Sequence, residues 1–194
     1  MNCYQRQILD YQPACEQEER DRQLMLHYVE LFPNTIGTRQ CEMAHMTASS
    51  LIFNRDRGKL LMVYHNIYRS WSWTGGHADG EENLLLTAMR EALEETGLRE
   101  VRPMREEAQS LEVLPVWGHF KRGQYVSSHL HLNVSFLLEA DEDEALHVKE
   151  DENSGVAWIP LEMLREKVTE PDMIPVYEKL IGRALKAGQV KGEA

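Results

Sequence analysis

Long apolar runs are missing from this chain of 194 residues. Apolar stretches such as Leu84–Leu86 and 134–138 fall far short of the roughly 18 apolar residues that span a bilayer, so no membrane span is expected. Met1–Asp10 has no basic stretch followed by an apolar one, so no secretory leader is expected, and the cytoplasm is the expected location. Cysteine is scarce. Cys3, Cys15 and Cys41 are odd in number and widely spaced, which excludes a disulfide framework or zinc ribbon and leaves free thiols as the expectation. Positive charge is in deficit, with 21 Lys and Arg against 32 Asp and Glu and a net charge of −11. That argues against a nucleic-acid surface, which needs an electropositive footprint. It leaves room for a small phosphorylated ligand, because bound cations invert the charge of an acidic pocket. Internal repeats and low-complexity tracts are also missing.

What is present divides into three parts. Residues 1–43 read as an N-terminal accessory segment with an amphipathic helix over 16–32. Leu24, Tyr28, Leu31 and Phe32 form its apolar stripe, a charged first turn runs from Glu16 to Asp21, and Pro33-Asn34 stops it. Residues 44–170 read as the main domain. Strands are expected at 47–53, 59–65, 70–73, 111–121, 130–138 and 156–159, with a turn at Asp56-Arg57-Gly58. One helix is expected over 83–96 and a short one over 161–166. Residues 171–194 read as a closing helix packed on the domain. Strands around a central helix predict an α/β fold with a mixed β-sheet between helical layers.

The chemistry concentrates in 76–98. Glu91, Glu94 and Glu95 are spaced i, i+3 and i+4, so they share one helical face, while Leu84, Leu85, Ala88 and Ala92 offer an apolar surface. Like charges at these spacings cost a helix roughly 0.2–0.5 kcal/mol per pair. Such a cluster read alone is most often a solvated face. Its context points elsewhere. Gly75-Gly76 lets backbone approach a cation or phosphate closely, Arg90 can orient a neighbouring carboxylate, Glu82 can secure the loop–helix junction, and Gly97 stands where a C-cap glycine belongs. Three carboxylates supply hard oxygen ligands of the kind Mg2+ or Mn2+ takes.

At these residues the chain resembles the Nudix hydrolase family. The family pattern is Gly, five residues, Glu, seven residues, Arg-Glu, an apolar residue, any residue, Glu-Glu, any residue, Gly and an apolar residue. Gly76, Glu82, Arg90, Glu91, Ala92, Glu94, Glu95, Gly97 and Leu98 fill every slot. The resemblance implies an α/β/α sandwich with a catalytic loop–helix. It implies hydrolysis of a nucleoside diphosphate linked to another moiety, with Mg2+, or alternatively Mn2+, as cofactor. It places the metal on Glu91, Glu94, Glu95 and the Gly75 carbonyl, with Arg90 orienting a glutamate. Homodimers are common in the family.

Further candidates stand outside the motif. The resemblance also implies an acidic residue from a late loop as metal ligand or base, and Glu152, in the acidic run after Lys149, is the candidate by loop-function logic. His129 and His131 alternate with Leu130 and Leu132, so with Asn133 they share a polar strand face able to contact substrate; as metal ligands they lack a visible third partner. His77 follows the glycine turn, and Trp73 can stack on a base. Two other readings compete. An isopentenyl diphosphate isomerase-like enzyme needs an active-site cysteine, and none follows Cys41. A non-catalytic nucleotide-sensing module commonly loses box glutamates, and none is lost here.

Overall fold

The computed structural model describes residues 3–121, 123–149 and 153–189. Helices α1 (Cys3–Asp10) and α2 (Glu16–Leu31) precede strand β1 (Ala44–Phe53), the centre of the molecule. All ten residues of β1 are buried, so both of its faces are covered. On one side it pairs in parallel with β9 (His129–Glu139), from Ala44 opposite Leu130 to Phe53 opposite Glu139. On the other side it has two antiparallel neighbours in succession. These are β4 (Thr74–His77) beside Thr47–Ser50, and β2 (Lys59–His65) beside Ile52 and Phe53. Because side chains alternate across a strand, this register sets Thr47 and Ser49 on the face shared by His129, His131 and Asn133.

The rest of the sheet hangs on these strands. β3 (Ser70–Ser72) and β10 (Asn153–Pro160) flank β2, while β5 (Arg102–Pro103) and β6 (Ser110–Val116) share β9. The strand expected over 70–73 is β3, and the glycine turn after it is itself a further strand, β4, because the chain leaves β2 after Ser72 and joins β1 at Thr74. The strand expected over 111–121 ends at Val116, and β7 (His119–Lys121) pairs with β8 (Gln124–Val126) as a separate hairpin. α3 (Leu84–Thr96) covers one face, with Ala88 and Ala92 against Met46, Ala48 and Ile52. The opposite face packs Leu51, Phe53 and Leu137 against Tyr177, Leu180 and Ala184 of α5 (Ile174–Gln189). A 3-10 turn and short α4 (Leu164–Lys167) lead into it. No helix among the described residues is long and apolar enough to cross a membrane.

The N-terminal helices share the main core: Tyr4, Ile8, Met25 and Val29 pack with Met46, Leu84 and Leu132. Of the stripe expected on α2, Tyr28 and Phe32 pack partly buried against this core, whereas Leu24 and Leu31 are exposed. The fully buried positions of the helix are Glu18, Met25 and Val29. A charged residue holds a core position because it is partnered. Glu18 accepts the Ala14 N–H at 2.8 Å and pairs with Arg183 at 2.7 Å and Lys179 at 3.0 Å. Burial alone would raise this carboxyl, but hydrogen bonds from Arg183, Ala14, Tyr11 and Lys179 outweigh it and hold it at about 2.

Candidate active site

Local sequence fixes both ends of the acidic helix. The Asn83 side chain accepts from the N–H groups of Leu85 (3.1 Å) and Leu86 (3.4 Å), an N-cap that satisfies two otherwise unpaired donors. Glu81 accepts the Asn83 N–H at 2.8 Å. The junction expected of Glu82 is thus built by Glu81 and Asn83. The Glu82 side chain is exposed, and its carbonyl accepts from Gln7 at 2.8 Å. Gly97 closes α3 in the left-handed region (φ 74°), donating to the Leu93 carbonyl at 3.0 Å.

Between these ends α3 turns Glu91 and Glu95 inward, both buried, and leaves Glu94 exposed. The glycine turn explains how a carboxylate fits there. A Cβ on Gly76 would sit 2.6 Å from Glu91 Oε1, so only glycine lets the carboxylate lie against β4. At Gly75 a Cβ would sit 2.8 Å from the Ala48 carbonyl. Arg90 pairs with Glu91 at 3.0 Å and donates to the His77 carbonyl at 3.4 Å, tying the helix to the strand. Lys149 lies 3.7 Å from Glu94. The donor set around Gly75, Glu91, Glu94 and Glu95 is all oxygen, which fits a hard divalent cation.

These residues border a cleft of about 690 Å³, within the usual range for small-molecule sites. Gly75, Gly76, His77, His129, His131 and Trp73 all line it, so the structure gathers the sequence-predicted groups in one place. Trp73 also packs edge-on to Tyr177 (centroids 5.4 Å), serving the core and the cleft together. Glu152 lies outside the described residues. Tyr125 of the β7–β8 hairpin and Tyr68 stand at the mouth, both exposed.

The largest departure from expectation is on the imidazole wall, because His129 and His131 do have further partners. His45 lies opposite His131 in the parallel register, and His77 reaches the same place from β4. His45 centroids lie 4.8 Å from those of His77 and His129 and 5.3 Å from that of His131. Burial holds His131 far below the ordinary imidazole range, at about 2, reinforced by the other histidines. Burial likewise lowers His45. The missed signal was the alternation His45, Thr47, Ser49, which repeats the polar alternation of His129, His131, Asn133. Glu170 also lines the cleft, and burial raises its carboxyl against hydrogen bonds from Ser72 and Ser70.

The architecture has known counterparts. An Ap4A hydrolase of C. elegans superposes with a TM-score of 0.52 at 20% identity, covering 74% of this chain and 98% of that one. The NUDIX domain of Shewanella oneidensis NrtR, solved with ADP ribose, gives 0.52 at 16% identity over 80% of this chain and 97% of that domain. A probable DHNTP pyrophosphohydrolase of Lactococcus lactis subsp. cremoris is 31% identical over 100 residues. That match spans 52% of this chain and 57% of the relative. The model of the NUDIX domain matches residues 43–180, which takes in the central sheet, the glycine turn and the acidic helix. This chain belongs to the Nudix family.

Proposed function

We propose that the chain hydrolyses the pyrophosphate bond of a nucleoside diphosphate linked to another moiety, with Mg2+ or Mn2+ as cofactor. The observation that carries the reading is the seat of Glu91. Its carboxylate occupies the place of a Gly76 side chain, on a helix face that also bears Glu94 and Glu95. Those three glutamates and the Gly75 carbonyl would hold the cation. When bound, such a cation neutralises phosphate oxygens and lowers the pKa of a coordinated water. The chain's own contribution is placement. Arg90 fixes the Glu91 carboxylate relative to β4, and the buried Glu91 and Glu95 give oxygen donors whose positions packing defines. Glu152, from the acidic run after Lys149, enters this reading as a further metal ligand or base. Trp73 and the wall of His77, His129 and His131 face whatever moiety flanks the pyrophosphate. The name of the Lactococcus relative, a pyrophosphohydrolase, supports the same bond class.

The isomerase reading loses further ground. Cys41 is buried in the core among Tyr4, Ile36 and Ala44, and none of the three cysteines lines the cleft. The sensing-module reading is separated by assay. Protein with Mg2+ is offered nucleoside triphosphates, ADP-ribose, sugar nucleotides, dinucleoside polyphosphates and coenzyme A, and products are separated. The expected result is cleavage of at least one class, abolished by a chelator and restored by Mg2+. Tight binding of one nucleotide with no turnover across the panel would establish the sensor instead.

A further inference from the structure

Four imidazoles from three strands converge at the floor of the cleft: His45 from β1, His77 from β4, and His129 and His131 from β9. One ring nitrogen from each lies within 4.8 Å of all the others. Neutral imidazoles gain little by crowding together, so the arrangement asks for an occupant. Two observations say what kind. First, His45 is only 4% exposed, and its Nε2 is buried without a hydrogen-bond partner, while its Nδ1 faces the Cys41 carbonyl at 3.1 Å. A carbonyl only accepts, so Nδ1 carries the proton and the Nε2 lone pair is left without a donor. Second, His129 also sets its Nδ1 against a backbone carbonyl, that of Ser127 at 2.8 Å, which turns its Nε2 toward His131 Nε2, a hydrogen-bond contact at 3.3 Å. A backbone carbonyl that fixes one ring nitrogen and frees the other is the usual outer partner of a metal-ligating histidine.

The distances agree with a particular cation class. Zinc–nitrogen bonds of about 2.0–2.1 Å in a tetrahedron put neighbouring nitrogens about 3.3–3.4 Å apart. His129 Nε2 and His131 Nε2 are 3.3 Å apart. The widest separation, 4.8 Å, closes by modest torsion of the side chains. Nitrogen donors favour zinc and its neighbours over magnesium, which prefers oxygen.

We propose that His45, His77, His129 and His131 form a tetrahedral site for a zinc-class divalent ion, distinct from the carboxylate site of α3. Four protein ligands fill the coordination shell, so the ion ties β1, β4 and β9 together beneath the cleft. The site does not depend on the hydrolase reading and would bind its ion in a chain inert toward every pyrophosphate.

The test uses the full chain, stripped with chelator and reloaded with Zn2+ or Co2+ in the presence of excess Mg2+. One equivalent of zinc should remain by elemental analysis. Co2+ should give the intense visible absorption of a tetrahedral site. Zinc at about 100 times its dissociation constant should raise Tm by about 5–10 °C. His45→Ala and His129→Gln should each weaken binding at least about 100-fold. The second variant guards against a misfolded first, because His129 is less buried. Glu94→Gln and Glu95→Gln should keep the cobalt spectrum, which separates this site from the carboxylates. Failure to retain zinc, or a weak octahedral cobalt spectrum lost in Glu95→Gln and kept in His129→Gln, would overturn the proposal. Activity with Mg2+ is scored separately, so the two readings fail independently.

Discussion

On one side of Asn133 the sheet carries a buried cluster of Glu18, Glu112, Ser110 and Ser135 beneath Lys179 and Arg183. On the other side, toward the cleft, come the four imidazoles and, around the edge of β4, the carboxylates of α3. Asn133 touches both regions. It accepts from Thr47 and Ser49, each at 2.9 Å, and donates toward Ser135 at 3.0 Å and Glu112 at 3.4 Å. The first region closes on itself: Lys179 lies 3.1 Å from Glu112 and 3.0 Å from Glu18, so two acids meet two bases. The second gathers imidazoles with imidazoles and three acids on one helix face, with Arg90 on Glu91 and Lys149 beside Glu94 at its margin. Buried charge with its complement inside the chain is structure, and like groups gathered at a cleft wait for something from outside.

The largest effect that sharpens this contrast is expected at Glu95. Glu95→Gln should lower kcat/KM by about 10³-fold or more, equivalent to about 4 kcal/mol of transition-state stabilisation. It should also leave Tm unchanged or slightly higher, since it relieves like-charge repulsion of a few tenths of a kcal/mol per pair. Steady-state kinetics on the substrate found by screening, paired with thermal melts, reads both quantities. A large fall in Tm would place Glu95 with the structural cluster and erase the distinction.

Glu18 gives the opposite signature. Glu18→Ala takes the acid from Arg183 and leaves Lys179 with Glu112 alone, at an expected loss of about 3–5 kcal/mol and on the order of 10 °C in Tm. Activity of the folded fraction should be little changed. Acid offers the same test on the native chain. The folded carboxyl sits at about 2 against an ordinary 4.5, so the unfolded chain binds more protons between those values. The contribution is therefore complete above about pH 4.5 and lost as pH falls toward 2, amounting to about 3 kcal/mol. Denaturant melts across that window should show the loss in the native chain and a flatter profile in Glu18→Gln. Equal slopes would mean that the ion cluster does not hold α2 in place.

The two regions were unequally legible in sequence. The acidic helix is local: its three glutamates, both caps and the glycine turn lie within 23 residues, and helical spacing alone puts the acids on one face. The cluster around Glu18 is not local. Its bases sit more than 160 positions away on α5, so in sequence the buried glutamate is one member of a charged first turn, and Leu24 and Leu31 look like core positions beside Tyr28 and Phe32. The imidazole site failed for a related reason. His129 and His131 advertise themselves by alternation, but His45 and His77 arrive only through the parallel pairing of β1 with β9 and the jump of the chain from β2 to β1. Register between distant strands is set by packing that a single sequence does not display.

The smallest predicted effect tests whether position in the cleft helix is enough to make a residue functional. Asn83 begins α3 but faces the junction, where its side chain holds two backbone N–H groups. Asn83→Ala should cost about 1 kcal/mol, the usual value of an N-cap, and lower Tm by about 2–4 °C. The acids lie two to three turns further on, and Arg90 anchors Glu91 to β4 independently of the cap. Their placement should therefore survive, with kcat/KM falling less than about threefold, well under 1 kcal/mol. If so, Asn83 behaves like the structural cluster despite sharing a helix with the acids, and the line between the regions follows charge complement rather than secondary structure. A hundredfold loss of activity at unchanged Tm would mean that the helix start itself positions the carboxylates, and the boundary would have to be redrawn to include it.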